Sequence, residues 1–378
     1  DGIFIPATNK RNWKLNGGVL DSDGSQPVSA SCWHYPNAPA AEPREIAGTP
    51  YQDLPDPRTA VFLGHYSPMF GHFILESTAR LWWLMGPDAK ADVSLMLVAQ
   101  GTDTTIVEAK MREFAALCDI DLPLFAWPER PVAFRKLITP PQGSGALNLM
   151  LAAPEYRQMI VGRFAGSVPP QGSPKVYISR SRLPGRHGTL IEEARLEELL
   201  SAEGYEIYHP QQHSFQEQIA RYKAADTILG LDSSAFHAVA LVAASSRKKI
   251  GIIQRRTAPE AYLQAEQLRK FDAASVVVVP CEETAWSPAG VRRAALSMFG
   301  TLNFQLAGQI LKDSGFIADS GPWAATHPTE KLKAVRQVGT LLGADMIEVV
   351  RGQRNLSEYP IRAVPGEVSL IRLATGKD

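Results

Sequence analysis

Between residues 175 and 279 the chain alternates regularly between short apolar runs and longer amphipathic ones. The apolar runs are typical of buried parallel strands, and the amphipathic runs have the period of helices packed on a sheet. The pattern predicts strands at 175–179, 205–208, 227–231, 249–253 and 274–279, with helices at 192–202, 215–223, 235–244 and 259–268. This alternation predicts a Rossmann-like domain with a parallel sheet.

The first part of the chain shows a similar but less regular alternation. Residues 1–60 are rich in Pro, Gly, Asn and Asp and predict an irregular lead-in with short strands. A largely apolar run predicts a buried helix from His72 to Met85. It is followed by a predicted strand at 94–99, a helix at 105–117 and a strand at 136–139. This part therefore predicts a second α/β domain.

The boundary between the two domains is expected in a linker rich in Gly and Pro at residues 167–174. We expect an N-terminal domain over residues 1–165, a C-terminal Rossmann-like domain over 166–313 and an extension of unassigned role over 314–378. A long helix is predicted at 287–311. Because ligands of open α/β sheets bind at the carboxyl ends of the strands, we expect the site there, in a cleft between the domains.

Composition narrows the class of protein. Of 378 residues, 45% are hydrophobic and 21% charged, which is typical of a packed protein and excludes a disordered one. Lys and Arg total 39, as do Asp and Glu, so a general nucleic-acid binder is disfavoured. The three cysteines Cys32, Cys118 and Cys281 have no metal-ligand spacing and predict reduced thiols in an intracellular compartment. No apolar run approaches the roughly 20 residues of a membrane span, and the first residues do not resemble a signal peptide.

Basic residues follow the predicted strand at 175–179. These are Arg180, Arg182 and Arg186. A guanidinium binds two oxygens at once, so arginines at the carboxyl end of a strand suit a diphosphate. The alternative is an ordinary solvated basic loop.

A turn of small polar residues follows the strand at 227–231. Gly230 allows a tight turn, and Asp232, Ser233 and Ser234 lead into the next predicted helix. Small residues at a helix start can bind phosphate through backbone N–H groups, but they are also good N-caps. The chain has neither a G-x-G-x-x-G nor a Walker A sequence, so a dinucleotide or P-loop site is disfavoured.

Three pairs of residues match the spacing of a capping box, in which a Ser or Thr precedes a Glu by three residues. They are Thr105 with Glu108, Thr189 with Glu192, and Ser214 with Glu217. Glu217 has two possible roles: it binds a ribose hydroxyl, or it only completes the capping box. Gln218, the next residue, is a candidate for the same nucleotide site. His237 lies within an apolar helix and is expected to be packed against the protein.

Candidates for a general base lie in the first domain. His65 and His72 sit beside glycines at the edges of predicted elements, and Glu76 lies one helical turn beyond His72. A His–Glu pair at this spacing could orient the imidazole and take a proton from a hydroxyl group. The alternative is that His72 only caps its helix.

Several of these segments together resemble family 61 glycosyltransferases. "GHFILE" at 71–76 with "RLW" at 80–82 resembles that family's "GHFL-E…RLW" stretch, and "KVYISR" at 175–180 resembles its "K-x-Y-I-S-R" strand. "GYEI" at 204–207, "SFQEQ" at 214–218 and "ADTILG" at 225–230 follow in the family's order. One departure is that many members have His-Gly-Ala where this chain has Asp232, Ser233 and Ser234.

The resemblance implies an α/β protein of the GT-B type, with two Rossmann-like domains facing each other across a cleft. It implies an inverting transferase that uses a nucleotide-sugar donor, most simply a UDP-sugar, as co-substrate, without a metal or other cofactor. On the donor side it implies Arg180, Glu217, Gln218, Ser233 and Ser234. To these we add Arg182 and Arg186 as further diphosphate ligands, Gly230 for the tight turn, and His237 as a partial substitute for the missing histidine. For catalysis we select His72, Glu76 and Asp232.

The expected role is transfer of a hexosyl or pentosyl group to a glycan or lipid-linked glycan in bacterial capsule, exopolysaccharide or lipopolysaccharide synthesis. The expected location is the cytoplasm or the inner face of the inner membrane; a homodimer is compatible with this, and nucleic acid is not an expected partner. The departure at Asp232 leaves a second hypothesis, a non-catalytic nucleotide-sugar or glycan-binding protein that retains the fold. A Ser/His hydrolase is disfavoured because the chain has no G-x-S-x-G sequence.

Overall fold

The computed structural model describes residues 2–6, 10–11, 14–15, 17–35, 38–41, 56–86, 93–99, 103–183, 188–256, 260–290 and 298–349. They form two compact units, the first up to Val168 and the second from Pro169 onward. Within these residues, no helix combines the length and the apolar character needed to cross a bilayer.

The first unit is built on a six-stranded mixed sheet and a smaller four-stranded one. Its strands are β1 (Gly2–Ile5), β2 (Lys10–Arg11), β3 (Lys14–Leu15), β4 (Gly18–Asp21), β5 (Cys32–Tyr35), β6 (Ala38–Ala41), β7 (Asp56–His65), β8 (Val93–Ala99), β9 (Leu124–Ala126) and β10 (Val132–Ile138). The larger sheet has the order β4-β1-β10-β7-β8-β9, and β2, β3, β6 and β5 form the smaller one.

The parallel part of the larger sheet contains a topological switch point. Strands β7 to β10 pair in parallel, whereas β1 and β4 are antiparallel. Successive strands β7, β8 and β9 extend the sheet in one direction, and β10 returns to the other side of β7. Loops at the carboxyl ends of β7 and β10 therefore diverge, which is where open α/β sheets bind ligands.

The helices of the first unit confirm the predicted helix at 105–117 but not a continuous helix from His72 to Met85. They are α1 (Phe70–His72), α2 (Thr104–Leu117) and α3 (Pro154–Arg163), with a π-helical turn at Phe73–Ser77 and a 3₁₀ turn at Leu81–Met85. The predicted helix is interrupted because other groups bind its carbonyls: Ser144 Oγ donates to the Leu75 carbonyl at 2.6 Å, and the Gly143 N–H donates to the Ala79 carbonyl at 2.8 Å.

The second unit confirms the predicted parallel sheet. Strands β11 (Lys175–Ile178), β12 (Glu206–Tyr208), β13 (Thr227–Leu231), β14 (Ser245–Ile253) and β15 (Ala273–Val279) pair in parallel in the order β12-β11-β13-β14-β15. The helices are α4 (Glu193–Ala202), α5 (Phe215–Ala224), α6 (Ala235–Ala240), α7 (Glu260–Lys270), α8 (Phe304–Asp313) and α9 (Pro328–Leu342). The switch point lies between β11 and β13.

The predicted helix at 287–311 is wrong. Strand β16 (Glu282–Pro288) pairs with β17 (Phe299–Leu302) and with β18 (Met346–Glu348). Helix α8 begins only after Asn303, whose side chain accepts from the Leu306 N–H at 3.0 Å. A strand forms here because β17 joins its neighbours through long-range pairing, which no local pattern records.

Residues after 313 contribute to the core of the second unit. Phe316 and Trp323 are buried beside β13, β15 and α8. Gly308 of α8 makes room for the indole: a Cβ at this position would lie 2.5 Å from Cβ of Trp323. The predicted helix and strand near 330–342 and 346–350 correspond to α9 and β18, and the strand-like run at 368–373 lies outside the described residues.

Of the three predicted capping boxes, one is present. Ser214 and Glu217 form both reciprocal hydrogen bonds at the start of α5. Helix α2 is instead capped by Asp103, which accepts from the Thr105 N–H at 2.9 Å. At α4 the Thr189 hydroxyl donates to Glu193, one residue beyond the predicted partner.

Candidate active site

Two histidines and a glutamate meet at the switch point of the first unit. His65 is the last residue of β7, and His72 and Glu76 follow in α1 and the π-helical turn. Nδ1 of His72 lies 2.8 Å from Oε1 of Glu76, and Nε2 of His65 lies 3.5 Å from Oε2. The structure therefore brings together the three residues that the sequence singled out in this region.

The Glu76 carboxylate is buried, with a side chain 1% exposed, whereas the side chain of His72 is 28% exposed. Two hydrogen bonds hold the π-helical turn, one to its Ser77 side chain and one to its Ile74 carbonyl. Ser77 Oγ accepts from the Ser67 N–H at 2.8 Å, and the Thr78 hydroxyl donates to the Ile74 carbonyl at 2.8 Å. Such turns are rare and are often found at functional sites.

A buried thiol and a buried guanidinium lie next to His65. Nη1 of Arg80 is 3.8 Å from Sγ of Cys32. The same arginine donates to the carbonyls of Pro140 at 2.8 Å and Ser31 at 2.8 Å. Gly64 permits this close packing: its φ is +100°, and a Cβ there would lie 2.7 Å from Nη1 of Arg80.

Charges in this cluster shift the pKa values of its members. Burial alone lowers the pKa of His65, but hydrogen bonds and the negative charges of Cys32 and Glu76 raise it to about 9. Burial alone raises the pKa of the Cys32 thiol, but the Arg80 charge and hydrogen bonding to His65 bring it below its ordinary value. The imidazolium form of His65 is thus favoured, and the shift at Cys32 is toward easier ionisation of its thiol.

In the second unit, polar residues converge at the carboxyl ends of three adjacent strands. Arg180 follows β11, Asp232 follows β13, and Arg255 and Arg256 follow β14. The parallel register places these positions at one edge, because Ile178 is opposite Gly230 and Leu231 is opposite Ile253. This edge includes the switch point between β11 and β13.

Asp232 is buried and holds the two arginines that follow β14. Its Oδ1 lies 3.2 Å from Nε of Arg255 and 3.1 Å from Nε of Arg256. Its Oδ2 accepts from the backbone N–H of Arg255 at 3.1 Å, and its carbonyl accepts from Nε at 3.1 Å. With both oxygens bound to arginines, this carboxylate is arranged to position cations.

Arg180 is held by a second buried carboxylate. Its backbone N–H donates to Oε1 of Glu193 at 2.7 Å, and its Nη2 donates to the Gly188 carbonyl at 3.1 Å. The Tyr177 hydroxyl also donates to Glu193, at 3.1 Å. Burial lowers the pKa of Arg180, with the charges of Glu193 and Asp232 opposing this effect.

Some polar atoms at this edge have no hydrogen-bond partner among the described residues. Arg255 is 3% exposed, and its Nη1 is one of them; Oγ of the buried Ser233, the residue after Asp232, is another. Burial is the main cause that lowers the pKa of Arg255 to about 9. The negative charge of Asp232 opposes this shift, and the positive charges of Arg256 and Arg180 add to it. A buried cationic donor without an acceptor is costly, so it needs an explanation. An anionic ligand would supply the acceptor.

Other residues predicted for the donor side lie in different surroundings. Glu217 is occupied in the capping box, with a side chain 64% exposed. Gln218 is buried and donates to the carbonyls of Pro210 at 2.9 Å and His213 at 3.3 Å. Arg182 is exposed and donates to Gln212 at 3.2 Å. Arg186 lies outside the described residues.

The remaining predicted residues line the turn after β13. Gly230 packs against β11, where a Cβ would lie 3.1 Å from Cβ of Ile178. Ser234 precedes the short helix α6, and the Ser233 carbonyl accepts from Nε2 of Gln264 at 3.0 Å. His237 is buried, with Nδ1 2.7 Å from Oε1 of Gln267, as expected of a packed histidine.

Arg255 and Arg256 are absent from the residues predicted for the donor side, although the signal was the one used for Arg180. They follow a predicted strand by two and three positions. Cys32 and Arg80 carried no comparable signal, because their neighbours in the cluster are distant in sequence. Among the described residues, no group of three or more His, Cys, Asp and Glu side chains could hold a metal ion.

A comparison with protein-family models agrees with the sequence resemblance. Residues 70–253 match a family model described as Glycosyltransferase 61. No curated protein sequence matches the chain. The matched region includes His72, Glu76, Arg180 and Asp232 and ends two residues before Arg255. The match therefore supports glycosyltransferase family 61 for this part of the chain and, with it, a glycosyltransferase activity.

Proposed function

We propose that the protein is an inverting glycosyltransferase that moves a sugar from a nucleotide-diphosphate donor, most simply a UDP-sugar, to a hydroxyl group of a glycan or lipid-linked glycan. Synthesis of a bacterial surface polysaccharide is the setting that fits this chemistry. The family match supports the transferase activity. The arginine cluster of the second unit supports the choice of donor, and the His72–Glu76 pair supports the proposed reaction course.

The observation that carries the proposal is the arginine cluster of the second unit. Arg180, Arg255 and Arg256 lie at the carboxyl edge of a parallel sheet, and Nη1 of Arg255 has no partner among the described residues. Guanidinium groups bind phosphate oxygens in pairs, so this cluster suits the diphosphate of a donor. Asp232 sets the orientation of two of the three before a ligand arrives.

Fixed arginines also suit the chemical step. When the glycosidic bond to the donor breaks, negative charge develops on the leaving diphosphate. Cations held in place beforehand stabilise that charge without reorganising during the reaction. We therefore propose that arginine side chains, rather than a metal ion, neutralise the leaving group.

Inversion also needs a base for the acceptor hydroxyl, and we propose His72 for this role. With Glu76 ionised, Nδ1 of His72 donates its proton to Oε1 of Glu76, and the lone pair on Nε2 can accept a proton. The carboxylate then stabilises the imidazolium that forms. The side chain of His72 is also more exposed than that of Glu76.

UDP titration by calorimetry tests the donor site. We expect Arg255→Gln and Arg180→Ala each to weaken UDP binding by about tenfold or more, because each removes a charge-assisted contact. Arg269→Gln is the matched control, since this exposed arginine pairs with Glu266 on α7, away from the cluster. Equal affinity in the wild type and both cluster variants would contradict the assignment.

The second hypothesis, a non-catalytic nucleotide-sugar-binding protein, is favoured by one observation. Asp232 stands where many family members have a histidine, and its carboxylate is already bound to Arg255 and Arg256. Slow hydrolysis across a panel of nucleotide sugars distinguishes the two hypotheses. Turnover that His72→Ala abolishes supports the enzyme, whereas tight donor binding without turnover supports the binding protein.

A further inference from the structure

We propose that His65 is a positioning residue for the His72–Glu76 pair, and that Cys32 and Arg80 hold His65 in that role. The inference rests on the proposed function, in which His72 accepts the proton of the acceptor hydroxyl. Cys32 and His65 both precede residue 70, where the family match begins. Their role therefore follows from this structure alone.

The buried carboxylate of Glu76 needs compensation for its negative charge. Its side chain is 1% exposed, and a buried carboxylate is costly unless opposite charge and hydrogen bonds compensate it. His72 approaches Oε1, at 2.8 Å. His65 approaches the other oxygen, Oε2, at 3.5 Å. The carboxylate is thus held from two sides, which fixes the direction in which Oε1 meets His72.

The positive charge of His65 affects the His72–Glu76 pair. If His72 were the only cation beside the buried carboxylate, Glu76 would favour the imidazolium form of His72, which cannot accept a proton. A protonated His65 compensates part of the Glu76 charge instead, so the carboxylate attracts a proton to His72 less strongly.

His65 carries a charge although its side chain is only 11% exposed, because charged groups surround it. The groups that face it are Glu76 from the π-helical turn and Cys32 from β5, with Arg80 behind Cys32. Cys32 and Glu76 both raise the pKa of His65. The Arg80 charge, 3.8 Å from Sγ of Cys32, lowers the pKa of the thiol and so favours the ionised sulfur that pairs with His65.

A positioning role requires rigidity, and the surroundings of His65 are rigid. Arg80 is anchored by carbonyls of Pro140, Ser29 and Ser31 at 2.8, 3.1 and 2.8 Å. Gly64, the residue before His65, leaves no space for a Cβ beside Nη1 of Arg80. The backbone of β7 is therefore packed directly on the guanidinium, and His65 has little freedom to move.

Exposure distinguishes the roles of the two histidines. The side chain of His65 is 11% exposed, against 28% for His72, and Cys32 is fully buried. A substrate hydroxyl can therefore meet His72, whereas His65 acts through Glu76.

His65→Gln tests the proposal, because glutamine keeps a hydrogen-bonding group but no charge. For donor hydrolysis we expect kcat at pH 7 to fall about tenfold. We also expect the acidic limb of the kcat profile to move to higher pH by about half a unit or more. In histidine ¹⁵N spectra recorded without substrate, His72 should keep its second proton to a correspondingly higher pH. His327→Gln, at the exposed N-cap of α9, is the matched control and should change neither measurement.

Cys32→Ser provides a second test that keeps His65. A hydroxyl group has nearly the size of the thiol but does not ionise, so the pKa of His65 should fall from about 9 toward its ordinary value. The kcat profile should shift in the same direction as in His65→Gln. Cys118→Ser is the matched control, because Cys118 is buried in the same unit and burial raises its pKa to about 12.

The two proposals fail in different ways. If the wild-type protein hydrolyses no nucleotide sugar and binds no UDP, the proposed function is wrong, and the role of His65 in it falls as well. If the wild type hydrolyses a donor but His65→Gln and Cys32→Ser leave both the kcat profile and the titration of His72 unchanged, only the role of His65 is overturned. A loss of melting temperature with an unshifted profile would likewise reduce His65 to a structural residue.

Discussion

The carboxylate of Asp232 and the guanidinium of Arg255 form a buried ion pair, with Oδ1 3.2 Å from Nε. The two residues lie 23 positions apart and follow neighbouring strands, β13 and β14. Their pairing explains how a charged arginine is kept inside the protein with one terminal nitrogen still available. We propose on this basis that Asp232 positions the arginines, whereas the sequence analysis selected it as a catalytic group.

Asp232→Asn tests that role. Removing one partner of a buried ion pair leaves the other charge uncompensated, so the free energy of unfolding should fall by about 3–5 kcal/mol. Saturating UDP should then raise the melting temperature of the variant more than that of the wild type, because the ligand supplies the missing negative charge. A variant that is as stable as the wild type but does not turn over would show instead that Asp232 is catalytic.

His72→Ala and Glu76→Gln separate catalysis from stability. His72 is partly exposed, so its loss should change the melting temperature little but lower kcat by about 10²- to 10⁴-fold. Glu76 is buried between two histidines, so its neutralisation should lower both kcat and stability. Comparing kcat with thermal unfolding checks both expectations. A folded His72→Ala enzyme with near-normal kcat would exclude His72 as the base.

Gly300→Ala should disturb the arginine cluster from outside it. Gly300 lies in β17, and a Cβ there would lie 2.0 Å from the carbonyl oxygen of Arg255. We expect a loss of about 1–3 kcal/mol of stability from overpacking, together with weaker UDP binding. The control is Gly162→Ala in α3, where a Cβ would meet nothing within 4 Å. Unchanged UDP affinity in Gly300→Ala would show that the position of Arg255 does not matter to the site.

Glu217→Ala decides between the two interpretations of this residue. The capping box at the start of α5 predicts a loss of about 1 kcal/mol of stability, measured by chemical denaturation. If this is its whole role, UDP affinity should not change, and Ser214→Ala should behave alike. A marked loss of UDP affinity in Glu217→Ala, but not in Ser214→Ala, would favour the ribose contact.

The charge on His65 predicts a pH dependence. Because Cys32 and Glu76 raise its pKa to about 9, His65 should remain an imidazolium throughout the neutral range and lose its proton only as the pH rises through about 9. Histidine ¹⁵N chemical shifts across pH 6–10 measure this directly, with His65→Gln used to assign the signal. A midpoint near the ordinary histidine value would contradict a thiolate at Cys32.

Local features of the chain were predictable from the sequence. Strand β13 has the predicted bounds, 227–231, because a short apolar run between polar turns is sufficient to define a buried strand. The capping box of Ser214 and Glu217 depends on two residues three positions apart. The His72–Glu76 pair was equally accessible, since residues four apart meet on one helical face.

The helix predictions from the sequence were wrong where a partner distant in the chain determines the local structure. The run at 287–311 has helical composition, yet its middle residues join β16 as strand β17. The run from His72 to Met85 is apolar enough for one helix, but Ser144 and Gly143 bind its carbonyls and interrupt it. Pattern alone cannot record these partners, because they belong to other parts of the chain.

Hydrophobic and polar patterning was sufficient to predict the alternating elements, the parallel α/β class and the arginines, serines and histidines at element edges. Which of these side chains meet depends on the packing of the strands. Strand order placed β11 beside β13 and β13 beside β14, which brought Asp232 to Arg255 and Arg256. Packing of β5 against the end of β7 brought Cys32 to His65, 33 positions away along the chain. Local spacing determines contacts within one turn or one strand, whereas a charge cluster depends on which strands become neighbours, and this is set by burial of the whole core.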